Sequence, residues 1–357
     1  MKKAAVTLLL TLLVVAFALP GSAAMNKYNS AFLDTFDTVI SLIAYAEDEE
    51  TFNTWANTVH ETYLHLHKLF DTYNSYEDEG IISICTLNER AAQEPVKVDP
   101  VLFSLLQFCK SEYELGRGQV NIAMGSVLSI WHEYREAGLA DPENAKLPPM
   151  DELEEASKHT NIEDLVLDPE NLTVYFADPL LKLDVGAVAK GYATELVSKM
   201  LLESDLSSFI ISAGGNVRTG NPPQDGRLKW GIGIQDPDGA VLGLSDIVET
   251  LYLANCSIVT SGDYQRFYTV DGTNYHHLID PDTLMPGTHF RSVTIITEDS
   301  GYADFLSTAT FLMPYEEGRE FIDSLDGVEA IWLFPDGSKK MTFGAMNVAR
   351  SCGASAK

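Results

Sequence analysis

FIISAGGNVRTGNPPQDGRLKWGIGIQDPDG, residues 209–239, decides the architecture. It holds two short runs rich in Ile, FIISA (209–213) and WGIGIQ (230–235), each closed by Gly, Pro, Asn or Asp. Such runs with turn punctuation read as strands joined by tight turns. LVLD (165–168) and TVYF (173–176) just upstream have the same form, and IWLFPDGS (331–338) adds a late strand with a turn. Further toward the N-terminus the pattern changes. Glu49–Phe70 carries apolar residues at helical spacing, Asp99–Gly116 reads as a second helix, and KLPPMDELEEA (146–156) sets two prolines before an acidic helix start. TFDTVISLIAY (35–45) is β-branched and aromatic and reads as one opening strand, while Gly301–Met313 reads as a late helix. Helices and strands do not alternate as βαβ units, so the fold class is α+β, in one compact domain with packed helices and mixed or antiparallel sheets.

The ends and the charge set the context. Met1-Lys2-Lys3, the apolar run Ala4–Leu19, the break at Pro20-Gly21 and the small residues Ser22-Ala23-Ala24 have the three-part layout of a secretory signal. A retained anchor is the alternative, because the run is near the lower limit for crossing a bilayer. The expectation is a signal over 1–24, a folded domain over 25–357 and an exported protein. Its place is then periplasmic or extracellular, or at the outer face of the cytoplasmic membrane. Any membrane contact would come only through the signal or a membrane-bound target. The net charge of −28 over 357 residues argues against nucleic acid and anionic lipid as partners. Cys85, Cys109, Cys256 and Cys352 are widely separated, with no CxxC spacing, so mostly buried free thiols are expected rather than a zinc site.

Four segments carry candidate chemistry. LDVGAVAKGYA (183–193) brings small residues to a helix start, where amides favour an anion, with Asp184 as a hydrogen-bond acceptor and Lys190 as a cation. Plain close packing explains the same glycines and alanines. In GYADFLSTATFLM (301–313), Asp304 and Thr308 are four apart and share a helix face, offering hard oxygen ligands of the kind Mg²⁺ accepts. Alternatively Asp304 caps the helix and Thr308 bonds back to the main chain. In TSGDYQRFYTVDGTNYHHLIDP (260–281) the Asp271-Gly272 turn signals a hairpin. His276 and His277 follow on a strand, so only one of them can face a given site, as a general base or merely as a satisfied polar side chain. FIISAGGNVRTG (209–220) suits a cofactor wall or a tight turn.

In sequence order, GxxAKGYA, AGGNxR, SGDYxRF…HHxIDP and ADxxST resemble the ApbE family of flavin transferases, along with TFDTVISLIAY, FDTYNSYEDEGIISICTLN and NIAMGSVLSIW nearer the N-terminus. The resemblance spans about Tyr28 to Met346. It implies an ApbE-like, T-fold-like domain and Mg²⁺-dependent transfer of FMN from FAD to a Thr or Ser hydroxyl of a separate acceptor flavoprotein, with release of AMP. By resemblance, the Ala187 carbonyl and the side chains of Asp304 and Thr308 bind the metal. Phe36, Tyr73, Val120, Asn121, Ile122, Asp184, Lys190 and Leu278 contact FAD, and His277 is the candidate base beside catalytic Asp304. The chain departs from many relatives in having Phe36-Asp37-Thr38 for Met-Gly-Thr, and Val120-Asn121-Ile122-Ala123 for Phe-Asp-Pro-Thr. An FAD pyrophosphatase with water as nucleophile is the alternative within this fold. A non-catalytic exported flavin-binding protein is the alternative outside the enzymes.

Overall fold

The computed structural model describes residues 25–241 and 247–357, so the expected signal at 1–24 lies outside the described residues. The chain opens with a hairpin, β1 (Asn26–Thr35) and β2 (Thr38–Ala46), followed by α1 (Glu49–Phe70). TFDTVISLIAY is therefore not one strand. Phe36 and Asp37 have φ of 53° and 50° and turn the chain between the paired Thr35 and Thr38. Positive φ at both central positions matches the twist of the flanking strands, but Phe in that region is strained. The α1 boundaries follow the sequence reading because Asp48 caps the helix, its side chain accepting from the Thr51 amide at 2.8 Å.

The elements continue as α2 (Ile84–Arg90), β3 (Val96–Lys97), α3 (Pro100–Glu112), α4 (Gly125–Ala140), α5 (Met150–Ala156), β4 (Leu165–Asp168) and β5 (Thr173–Phe176). Then come α6 (Ala189–Leu202), β6 (Phe209–Ala213), β7 (Asn216–Thr219), β8 (Trp230–Gln235), α7 (Pro237–Val241), β9 (Ile247–Leu253) and β10 (Ser257–Gly262). The chain closes with β11 (Phe267–Val270), β12 (Thr273–His276), β13 (Ser292–Thr297), α8 (Ser300–Leu312), α9 (Tyr315–Asp323), β14 (Glu329–Leu333), β15 (Lys339–Met341) and α10 (Phe343–Val348).

Among the described residues, eight strands form one sheet in the order β1-β2-β6-β7-β10-β13-β14-β15, and every neighbouring pair is antiparallel. Both faces are covered, which explains why β13 is buried along its whole length. Ile40, Leu42, Ile211, Val259, Val293 and Ile295 pack with residues of α1, α6 and α8 in the main core. Ile258, Ile296 and Ile331 join a second core with the β8–β9 hairpin and α10. Alternate residues of one strand thus feed two hydrophobic layers, at roughly 1.5–3 kcal/mol per large side chain removed from water. A third cluster of Met124, Trp131, Leu153, Tyr268, Ile279 and Leu284 ties α4 and α5 to the β11–β12 hairpin.

The cysteines form no disulfide, but only Cys109 is fully buried; Cys85 and Cys256 are half-buried and Cys352 is exposed. The expectation of mostly buried thiols is corrected accordingly. No helix among the described residues is long and apolar enough to cross a membrane.

Candidate active site

The site forms where the start of α6 meets the middle of α8. Asp299, not Asp304, caps α8, accepting from the Tyr302 amide at 3.0 Å. Asp304 is therefore free, and its Oδ2 accepts from the backbone amide of Gly191 at 2.8 Å. Thr308 does not back-bond either: its Oγ1 lies 3.2 Å from Ser261 Oγ, which also meets Ser307 Oγ at 2.8 Å. Asp304 and Thr308 are only 5% and 6% exposed, so the carboxylate and hydroxyl sit together in a nearly closed place. Gly191 is required there. A Cβ on it would stand 2.3 Å from Ser300 O and 2.4 Å from Asp304 Cβ. Close packing and a polar site are thus the same contact.

That contact has a second consequence. In a continuing helix the Gly191 amide would bond Ala187 O, four residues back. It bonds Asp304 instead, and Ala187 O accepts no hydrogen bond among the described residues. An orphaned carbonyl, a buried carboxylate whose Oδ1 is unbonded, and a threonine hydroxyl make a set of hard oxygen donors. Among the described residues no group of three His, Cys, Asp or Glu is placed to hold a metal. The oxygen set therefore suits a small hard cation better than zinc.

Burial pushes the Asp304 pKa up, opposed by the Lys190 ammonium, the Gly191 amide and Asn216. Lys190 is pushed down by burial, opposed chiefly by Asp304. Each disfavours the other's neutral form. Asn216, at the start of β7, bears on Asp304 without a full hydrogen bond: its buried Nδ2 meets hydrogen-bond geometry to no group among the described residues. Two residues on, Arg218 pairs with Glu195 of α6 at 3.3 Å, and Glu195 accepts from the Ser300 amide at 2.8 Å. This buried network fixes the start of α8 against α6, and so the height of Asp304.

The second wall is the segment carrying Asp184. Asn88 holds it through Leu183, accepting from its amide at 2.7 Å and donating to its carbonyl at 3.0 Å. The Asp184 amide donates to Ile122 O at 2.9 Å, which sets the 120–125 segment alongside. Val120 and Ile122 are buried, and the Asn121 side chain is fully used, donating to Thr160 O and accepting from the Ala123 amide. Asn121 thus anchors the wall, and the charge lost relative to Asp is not needed for that. Burial raises the Asp184 pKa, and the Gly186 amide and the His132 and Arg266 side chains oppose it.

Tyr73 stands half out of the fold at 49% exposure, on a loop that Asp71 shapes by accepting from the Tyr73 and Asn74 amides and from Tyr76. Its ring stacks on His132 of α4, with centroids 4.1 Å apart and planes 19° apart. Arg135 Nη2 and His132 Nδ1 lie 2.7 Å apart. The Phe36 ring packs on Tyr63, His67 and Phe70 of α1. The turn there presents its backbone and exposed Asp37 instead.

Only His276 belongs to the strand, β12 ending there, and the two histidines differ in their partners. His276 is spent on the fold, with Nε2 2.8 Å from Gly287 O and Nδ1 accepting from the Leu278 amide at 3.2 Å. These contacts set the tautomer and bury Leu278. His277 follows the end of β12, and its Nδ1 is buried with no hydrogen-bond partner among the described residues. Burial holds its pKa well below the usual histidine range, reinforced by Arg266, Lys190 and Arg135.

Hydrogen bonds thus join Asp304 to the start of α6, which carries Lys190 and follows Ala187, and Thr308 to Ser261, while the 120–125 segment lies alongside Asp184. Sequence reasoning gave no role to Ser261, Asn88, His132 or Arg266. Ser261 and Arg266 lie inside the SGDYxRF motif, and that was their available signal; Asn88 and His132 act through contacts distant in sequence.

A sequence model of the ApbE family matches residues 36–332. The chain is 32% identical over 277 residues to the FAD:protein FMN transferase of Treponema pallidum, covering 75% of each chain. It is 28% identical over 272 residues to the enzyme of that name from Klebsiella pneumoniae, covering 74% of this chain and 81% of that one. The crystal structure of the ApbE protein from Thermotoga maritima superposes with a TM-score of 0.77 at 29% identity, covering 89% of this chain and 98% of that one.

Proposed function

The chain belongs to the ApbE family, and from that premise we propose that it is an FAD:protein FMN transferase, requiring Mg²⁺ and moving FMN from FAD to a Thr or Ser hydroxyl of a separate flavoprotein. The observation that carries the reading is the diversion of the Gly191 amide from Ala187 O to Asp304. It prepares three oxygens of different chemical type beside Lys190.

Ala187 O, Asp304 Oδ1 and Thr308 Oγ1 would hold the cation, which when bound offsets charge on the diphosphate oxygens. Lys190 adds positive charge on the same side, and Tyr73 supplies an aromatic face at the mouth. His277 holds a neutral, unpartnered nitrogen and takes the proton of the acceptor hydroxyl as its oxygen bonds the FMN phosphorus. The bond from that phosphorus to the bridging oxygen breaks, and AMP leaves with the electron pair. The anionic substrate partly cancels the cations that depress His277, so its basicity rises when the site is loaded.

The chain, FAD, MgCl₂ and a candidate acceptor flavoprotein are incubated together, with acceptor mass and free AMP measured. An added FMN mass on the acceptor with equimolar AMP is expected. Free FMN and AMP with an unmodified acceptor would mean a pyrophosphatase, and intact FAD would leave only flavin binding. We also propose, from the secretory layout of residues 1–24, that the protein is exported, which a fusion to an export-dependent reporter checks.

A further inference from the structure

We infer that Arg266 grips the diphosphate of the nucleotide substrate and so separates FAD from flavins that lack it. The inference rests on the function proposed above and names a residue for which the motif alone gave no role.

Arg266 ends the loop between β10 and β11. Arg266 directly precedes Phe267, whose register partner in the β11–β12 hairpin is His276, the neighbour of His277. Its Nη2 donates to Phe36 O at 3.0 Å, and its remaining N–H groups make no hydrogen bond among the described residues. Every other arginine among those residues, except Arg350, has a carboxylate within 4 Å. Arg266 has none, in a chain with 52 acidic and 24 basic side chains. A planar fork of donors left open beside a site for a dianionic linker is suited to bidentate contact with phosphate oxygens.

The backbone gives an independent reason. Arg266 has φ of 49°, and the carbonyl it holds belongs to the turn with φ of 53° and 50°. Each such non-glycine residue costs on the order of 1 kcal/mol or more, and such strain persists where the surroundings impose it. The Arg266–Phe36 hydrogen bond joins the two strained segments across the mouth, aiming the guanidinium while leaving most of its donors unused.

The opposing reading is that Arg266 only braces the Phe36–Asp37 turn. Equilibrium binding of FAD, riboflavin, ADP and adenosine to the wild-type chain, R266A and R266K, in the presence of Mg²⁺, separates the two. For R266A, FAD and ADP are expected to weaken about ten- to a hundredfold, as for a lost hydrogen bond to a charged group, with riboflavin and adenosine within twofold. R266K, which keeps the charge and loses the fork, falls between. Unchanged FAD and ADP affinity, or a parallel loss for FAD and riboflavin, overturns the inference and leaves the proposed activity standing. A wild-type chain that binds no FAD sinks both. If R266A does not fold, the ratio of FAD to riboflavin affinity in R266K decides alone.

Discussion

The Gly191 amide donates to Asp304 Oδ2 at 2.8 Å and leaves Ala187 O, its ordinary helical partner, without a donor. A single hydrogen bond thus fixes a buried carboxylate and exposes a main-chain oxygen beside it. The residue type follows from space: any Cβ at position 191 would meet Ser300 O and Asp304 Cβ at 2.3 and 2.4 Å.

G191A therefore has to part α6 from α8. The expected loss is about 1–3 kcal/mol of stability, the usual range for forcing a group into a packed contact. Thermal unfolding without Mg²⁺ checks it. A melting temperature equal to wild type would show that the two helices are not held at this contact.

D304N separates the roles of the carboxylate. The amide oxygen still accepts from Gly191, while the buried charge, which desolvation penalises, is gone. The buried Lys190 ammonium loses its chief counter-charge, so the unfolding temperature without metal should not exceed that of wild type. The stabilisation produced by added Mg²⁺ should vanish and transfer should fall by at least about a hundredfold. Near-normal turnover at saturating Mg²⁺ would remove Asp304 from the cation site.

His277 gives the pH dependence. An unfolded histidine titrates near 6.5, and burial with three nearby cations puts the folded value well below that. Below pH 6.5 the unfolded chain binds the extra proton and the folded chain does not, so this group costs stability as pH falls from 6.5 toward its folded value. H277N should flatten that part of the stability curve. The same shift keeps the nitrogen unprotonated below pH 6.5, so the acid limb of kcat/KM due to this group should fall lower than for an ordinary histidine. H277A should slow turnover about 10²–10⁴-fold with little change in FAD affinity. Unchanged turnover would eliminate His277 as the base.

Local chemistry was legible where local chemistry decides. Glu49–Phe70 is a helix in both readings because its spacing and the Asp48 cap agree, and the Asp271-Gly272 hairpin forms because both residues accept positive φ. The spacing of Asp304 and Thr308 placed two oxygens on one face, and the structure keeps them there. The turn at Phe36–Asp37 was missed because phenylalanine is a poor turn former; tertiary packing of its ring against α1 overrides that preference. The strand order was not readable either, since β7 beside β10 and β2 beside β6 are pairings between distant segments. Arg266, Asn88 and the Tyr73–His132 stack depend on the same long-range register. Motif order identified the family, but only the folded chain shows that Asn121 and His276 are occupied by the scaffold and that His277 is not.

The collection of Lys190, Arg266 and Arg135 around one mouth acquires a kinetic meaning in a chain of net charge −28. At a distance an anionic nucleotide meets repulsion; only within roughly a Debye length, about 8–10 Å at ordinary salt, does the cationic mouth dominate. Salt then acts in opposite senses along one approach path. It lowers the outer barrier and loosens the inner grip, so capture and release of FAD should both quicken as ionic strength rises from low values, with a smaller change in affinity than in either rate. Such a site behaves as an electrostatic filter: small dianions pass inward, while extended polyanions, which cannot fit all their charge inside the favourable zone, are turned away.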